Sequence, residues 1–172
     1  MNTTNRDHGP QDNACGSVAN RPILSRWEAC GWMPTRPEIK MKTVLFVCVE
    51  NSNRSQMAEA FARMHGAGRV VAESAGSRPS GRVNPRAIEA MHELGYDLKT
   101  HASKGLDAFN GRRVDVAVTM GCGDECPLVL ARERLEWKIP DPREMSPEDF
   151  RGVRDLIERH VKDLIATLET TP

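Results

Sequence analysis

The chain has 172 residues, and its 24 Lys and Arg balance 24 Asp and Glu for a formal net charge of zero. That length suits one domain with an appendage, and the neutral balance removes the electrostatic ground for nucleic acid or an anionic membrane as partner. No apolar run nears the roughly 20 residues of a membrane span, there is no signal-peptide core, and five unevenly spaced cysteines do not read as a secreted disulfide framework, so the expected compartment is the cytoplasm.

Residues 1–40 are a different material from the rest. Met1 to Asn20 is polar and rich in Asn, Gly and Asp; Arg21 to Lys40 holds three prolines with Trp27 and Trp32. The stretch reads as a weakly ordered N-terminal extension, with residues 41–172 as the main domain. Cys15 and Cys30 have no ligand pair nearby, which argues against a metal site. Met41, just before the first strand, is a candidate start of translation that mass spectrometry of the native N-terminus would test.

Val44-Leu45-Phe46-Val47-Cys48 is a continuous apolar run, expected to be a short strand buried on both faces. A polar loop, Val49-Glu50-Asn51-Ser52-Asn53, leads from its last residue to Arg54 and Ser55. A helix follows from about Ser55 to His65, with Met57, Ala58, Phe61 and Ala62 toward the sheet. A helix N-terminus offers unpaired N–H groups and a partial positive charge, and inward-facing loop amides form an anion cradle. Arg54 adds a planar fork suited to a tetrahedral oxyanion. Such a field also favours a thiolate, which makes Cys48 a nucleophile under a bound oxyanion. The plainer reading is a buried strand-end cysteine and an ordinary helix start; the Cys-x5-Arg-Ser spacing between strand and helix speaks against it and for the nucleophile.

Val70 to Ala75 is expected to be the second strand, leading into Gly76 and a turn-rich loop to Val83. Asn84-Pro85 opens a helix with a cap and a first-turn proline; Ile88, Met91 and Leu94 form its buried face, His92 is exposed, and Gly95 stops it. His101 to Lys104 is a loop, and a weak helix spans Leu106 to Phe109. Val114 to Met120 is a strand, followed by Gly121-Cys122-Gly123-Asp124-Glu125-Cys126-Pro127. Ligands gather at the carboxyl ends of strands in open α/β sheets, which places this loop beside Cys48. Cys122 and Cys126 lack two further zinc ligands at recognisable spacing; they are either idle thiols or a redox pair able to approach across one turn. Glu136 to Ile139 is expected to be the last strand, and Pro140-Asp141-Pro142 follows. Asp141 is either a turn former or a carboxyl facing the anion pocket as a general acid. Ser146, Pro147 and Asp149 cap the final helix, whose stripe is Phe150, Val153, Ile157, Val161, Leu164 and Leu168.

The Cys48–Ser55 segment resembles the low-molecular-weight protein tyrosine phosphatases and the arsenate reductases that share their fold. The resemblance implies Cys48 as nucleophile, Arg54 as oxyanion clamp, residues 49–55 as the substrate loop, Asn51 as its shaping residue, Ser55 as partner of the thiolate and Asp141 as general acid. Glu50 departs from the usual Gly and Asn53 from a frequent Cys; Glu50 must point away from the oxyanion or weaken its binding. Ser74-Ala75-Gly76 also resembles the family. Two cysteines in the loop after the third strand, the second followed by Pro, resemble the thioredoxin-coupled reductases, although their spacing is usually wider. Arg143-Glu144-Met145 replaces the aromatics that grip a phosphotyrosine ring. The resemblance also implies a potassium ion near Asn51, Glu59 and Ser74, with no convincing fourth ligand and with Lys104 as a substitute for the ion; Glu59 otherwise reads as solvated or locally hydrogen-bonded. No tightly bound cofactor is expected.

The expected fold is a three-layer α/β/α sandwich with a small parallel sheet of about four strands. The expected function is reduction of arsenate to arsenite through a Cys48–Cys122–Cys126 relay, with thioredoxin, glutaredoxin and glutathione, or mycothiol as the thiol donor. The alternatives are a phosphotyrosine phosphatase using Cys48, Arg54 and Asp141 alone, and a non-enzymatic oxyanion or redox sensor.

Overall fold

The computed structural model describes residues 41–121 and 129–170. The expected extension over residues 1–40 and the cysteine pair Cys122 and Cys126 lie outside them. The described chain runs β1 (Lys42–Cys48), α1 (Arg54–His65), β2 (Val70–Gly76), α2 (Pro85–His92), short 3-10 turns at Leu98–Thr100 and Leu106–Phe109, β3 (Arg113–Thr119), β4 (Leu130–Glu136) and α3 (Pro147–Thr170).

The strands form one parallel sheet in the order β2-β1-β3-β4. Because β1 lies between β2 and β3, successive crossovers leave it in opposite directions, and the crevice at its carboxyl end is the place for a ligand. Strand side chains alternate between faces. Val44, Phe46 and Cys48 join a large apolar cluster with α1, α2 and α3, whereas Leu45 and Val47 join a smaller one with Leu106 and Phe109. The run from Val44 to Cys48 is buried on both faces, as expected of a central parallel strand. In α1, Met57, Ala58, Phe61 and Ala62 are all buried.

Two expectations need correction. The last strand is Leu130–Glu136, not Glu136–Ile139. Among the described residues it is a sheet edge, paired only with β3 and carrying Arg132, Glu133 and Arg134. An edge tolerates and benefits from charge, so an apolar run is a poor guide to it. Trp137 and Ile139, the apolar residues behind that expectation, are core residues beyond the strand. In α2, Leu94 is exposed, and Ala87, Ala90 and Met91 face the core. The helix ends at His92, so helical spacing no longer positions Leu94; Gly95 follows with φ of 79°. The cap of α3 is as expected: Asp149 N donates to Ser146 Oγ at 3.1 Å, and that hydroxyl donates to Asp149 Oδ2 at 2.7 Å. Phe150, Val153, Ile157, Val161 and Leu164 of its stripe are buried.

Candidate active site

Cys48 is the last residue of β1, buried beneath the loop that leads into α1. The loop's shape depends on Asn51, which has φ of 49° and is fully buried. Asparagine enters this left-handed region at lower cost than most residues. Its side chain uses both ends: Nδ2 donates to Ser55 Oγ at 2.8 Å and Ser74 Oγ at 2.9 Å, while Oδ1 accepts from Gln56 Nε2 at 2.9 Å and Lys104 N at 2.7 Å. Ser55 Oγ accepts from Asn51, which leaves its own hydrogen for Cys48 Sγ, 3.0 Å away. That contact orients the sulfur.

The second strand contributes by being thin. A Cβ on Gly76 would stand 2.7 Å from Val49 O and 2.9 Å from Asn51 N. The loop backbone therefore lies directly on the end of β2, and Ser77 N and Arg78 N donate to Cys48 O and Val49 O. Among the described residues, none of the backbone N–H groups from Val49 to Ser55 donates to protein. Asn53, the residue before α1, makes no side-chain cap, and its buried Oδ1 lacks a partner among the described residues. A row of free amides at a helix N-terminus is an anion site.

Arg54, nearly fully buried, opens α1. Its Nη1 donates to Ile139 O at 3.0 Å and its Nη2 to Asp141 Oδ2 at 3.2 Å, while Nε has no partner among the described residues. Gly121, with φ of 70°, packs against the same guanidinium: a Cβ there would stand 2.8 Å from Nη1. The cleft has Cys48 at its base, Glu50, Ser52 and Asn53 on the loop side, and Asp141 and Arg143 opposite. Asp141 is half-exposed, so its carboxyl can reach both Arg54 and solvent.

The structure thus brings together Cys48, residues 49–55 and Asp141. Sequence reasoning did not place Gln56, whose Nε2 donates to Asn51 O, Asn51 Oδ1 and Ala102 O. Nor did it place His101, whose ring joins Gln56 Oε1 and Tyr96 Oη at 2.9 Å each. A polar Gln on the buried side of an otherwise apolar helix pattern was the signal for the first. Burial pushes the His101 pKa below its ordinary value, with nearby Glu59 opposing and Arg63 and Lys104 reinforcing that direction.

Glu59 is not solvated; it is 1% exposed. Ser74 Oγ donates to it at 2.5 Å, Arg63 pairs with it, and Lys104 Nζ and His101 Nδ1 stand 3.9 Å away. Asn51, Glu59 and Ser74 do cluster. Their oxygens, however, already accept from protein donors, and Arg63 and Lys104 supply positive charge.

The family described as low molecular weight phosphotyrosine protein phosphatase matches residues 43–171. A protein named glutaredoxin arsenate reductase, from Synechocystis, is 40% identical over 131 residues, spanning 74% of this chain and 99% of its own. A solved arsenate reductase in a phosphate-binding state superposes with a TM-score of 0.69 at 40% identity, covering 74% of this chain and 99% of that one. The thioredoxin-dependent arsenate reductase of Corynebacterium glutamicum gives a TM-score of 0.62 at 28% identity, covering 75% and 62%. With its Cys48–Arg54 loop, parallel sheet and extent of match, this chain belongs to the low-molecular-weight phosphotyrosine protein phosphatase family, among members that carry the name arsenate reductase.

Proposed function

We propose that this protein is an enzyme that reduces arsenate to arsenite. The observation that carries the reading is the buried Cys48 sulfur, oriented by Ser55, beneath a loop of free amides with Arg54 and Asp141 beside it. Arsenate binds on the amides and the Arg54 fork. Cys48 thiolate forms a sulfur–arsenic bond as an arsenate oxygen leaves, protonated by Asp141. Cys122 thiolate then attacks Cys48 sulfur. The electron pair of the sulfur–arsenic bond passes to arsenic, which departs as arsenite, and a Cys48–Cys122 disulfide remains. Cys126 attacks Cys122, frees Cys48 and carries the disulfide to a place where an external thiol reduces it.

Gly121 supports the relay. It is the residue before Cys122 in sequence, and it lies against Arg54. The reductant is a dithiol protein. Thioredoxin is the favoured donor by analogy with the Corynebacterium enzyme, and a glutaredoxin is the competing one by analogy with the Synechocystis enzyme. The action is cytoplasmic, where such donors keep thiols reduced. We read the Asn51–Glu59–Ser74 cluster as neutralised by Arg63 and Lys104 in place of a cation.

The family name favours a phosphatase as the second reading, since hydrolysis needs only Cys48, Arg54 and Asp141. The absence of an aromatic side chain among the described cleft residues speaks against an aryl ester. A sensor reading loses its ground because the Glu50 charge is paired with Arg143. The deciding assay gives purified protein arsenate with either thioredoxin, thioredoxin reductase and NADPH, or glutaredoxin and glutathione, and separately an aryl phosphate. Arsenite formation with a dithiol donor is the expected result; fast ester hydrolysis without arsenate reduction would reverse the order of the readings.

A further inference from the structure

A second ion pair stands at the mouth of the cleft. Glu50 Oε1 lies 2.5 Å from Arg143 Nη2, and Glu50 Oε2 accepts from Ser52 Oγ at 3.3 Å. Both partners are held from behind. The Glu50 carbonyl accepts from Ser80 N and Ser103 Oγ, each at 3.0 Å. Arg143 N donates to Asp141 Oδ1 at 3.1 Å, and the Arg143 carbonyl accepts from Arg86 Nη1 at 2.8 Å. Asp141 Oδ2 in turn takes Arg54 Nη2. Glu50, Arg143, Asp141 and Arg54 therefore alternate in sign around the cleft over Cys48.

This arrangement treats two kinds of oxyanion differently. A free inorganic oxyanion needs only the amides and Arg54. A phosphomonoester brings an organic group on the oxygen that Asp141 must protonate, and that group has to lie on the Asp141 side of the rim. There it meets a hydrogen-bonded charge pair instead of an apolar wall. Covering the pair strips water from two charges, a desolvation cost that an apolar wall would not carry. Arg143 also cancels a carboxylate that would otherwise repel the bound anion, and its guanidinium pKa is raised, first by its hydrogen bond to Glu50 and then by that residue's charge.

We propose that the Glu50–Arg143 ion pair sets the specificity of this site: it is a charged clasp between the oxyanion loop and the Asp141 loop that admits a free inorganic oxyanion and rejects the organic group of a phosphomonoester. The proposal rests on the oxyanion reading of the Cys48 loop given above.

The test uses the full chain. It compares kcat/KM for arsenate, with a saturating dithiol donor, against kcat/KM for 4-nitrophenyl phosphate. The variants are Arg143→Ala, Arg143→Lys and the double variant Glu50→Gln/Arg143→Ala, with phosphate affinity from calorimetry beside them. Arg143→Ala alone leaves Glu50 unpaired and should weaken phosphate binding about tenfold. The double variant removes both charges; it should bind phosphate more tightly than Arg143→Ala and lower the selectivity for arsenate by at least about tenfold through a gain in ester hydrolysis. Arg143→Lys keeps a charge pair and should retain selectivity within about threefold. An active reductase whose double variant gains no ester hydrolysis, or gains it in step with arsenate turnover, overturns the clasp alone. A wild-type protein that hydrolyses 4-nitrophenyl phosphate efficiently and leaves arsenate unreduced overturns both the clasp and the reductase reading.

Discussion

Gly76→Ala is the smallest substitution that tests how the loop from Cys48 to Arg54 is held. The added methyl would stand 2.7 Å from Val49 O, 2.9 Å from Asn51 N and 3.0 Å from Asn51 Cβ. Two of these atoms are backbone, so no rotamer change can relieve the contact. The loop cannot easily retreat either, because Ser77 N, Arg78 N and Ser80 N hold Cys48 O, Val49 O and Glu50 O. Overpacking of this kind costs about 1–3 kcal/mol. A loop that yields by about 1 Å would also lose on the order of 100-fold in turnover, since attack depends on alignment. Gly152→Ala is the control. It lies in α3 with nothing within 4 Å of its Cβ position, and should stabilise by about 0.5–1 kcal/mol through helix propensity. Urea unfolding gives both stabilities, and arsenate turnover gives the functional cost. A Gly76→Ala protein within about 0.5 kcal/mol of wild type, and equally active, would show that the loop does not rest on β2 as described.

The relay separates the functional readings. Cys126→Ser should complete about one turnover and stop as a Cys48–Cys122 disulfide, identified by non-reducing peptide mapping; Cys122→Ser should stop earlier, at the arsenic adduct. Sustained arsenate reduction by the double Cys122→Ser/Cys126→Ser protein on thioredoxin alone would remove the relay. Arg54→Lys keeps the charge but loses the fork that serves Ile139 O and Asp141, so phosphate affinity should fall by about tenfold or more; equal affinity would show that the guanidinium is not the clamp. His101 gives a pH signature. Its folded pKa is lowered from 6.5, so the unfolded chain takes up the proton first, and stability is lost as pH falls from about 6.5 through the lower folded value. His101→Gln should flatten the decline in urea midpoint between pH 7 and pH 5, with Glu59, Arg63, Lys104 and Tyr96 unchanged around it; an identical pH slope in the two proteins would assign the loss to another group.

The sequence by itself determined the parts whose physics is local. A run from Val44 to Cys48 without a polar residue, ended by a polar loop, read as a short strand covered on both faces. The Cys-x5-Arg spacing marked the strand end at Cys48, the loop after it and the helix start at Arg54. Ser146 and Asp149, and Asn84 with Pro85, marked their helix starts through bonds that span a few residues. The tertiary structure decided what depends on residues far apart. Edge strand β4 is held by the ladder to β3 and not by its own composition, so its charged sequence concealed it. The burial of Glu59 follows from Ser74 and Lys104, 15 and 45 positions away in the numbering, and no helical period reports that. The role of Glu50 was open for the same reason. Its carboxylate could face the anion, solvent or a partner, and only the return of the chain at Arg143, after three further strands and two helices, supplied the partner. Pattern and propensity act over a few residues, whereas charge finds its partner through space.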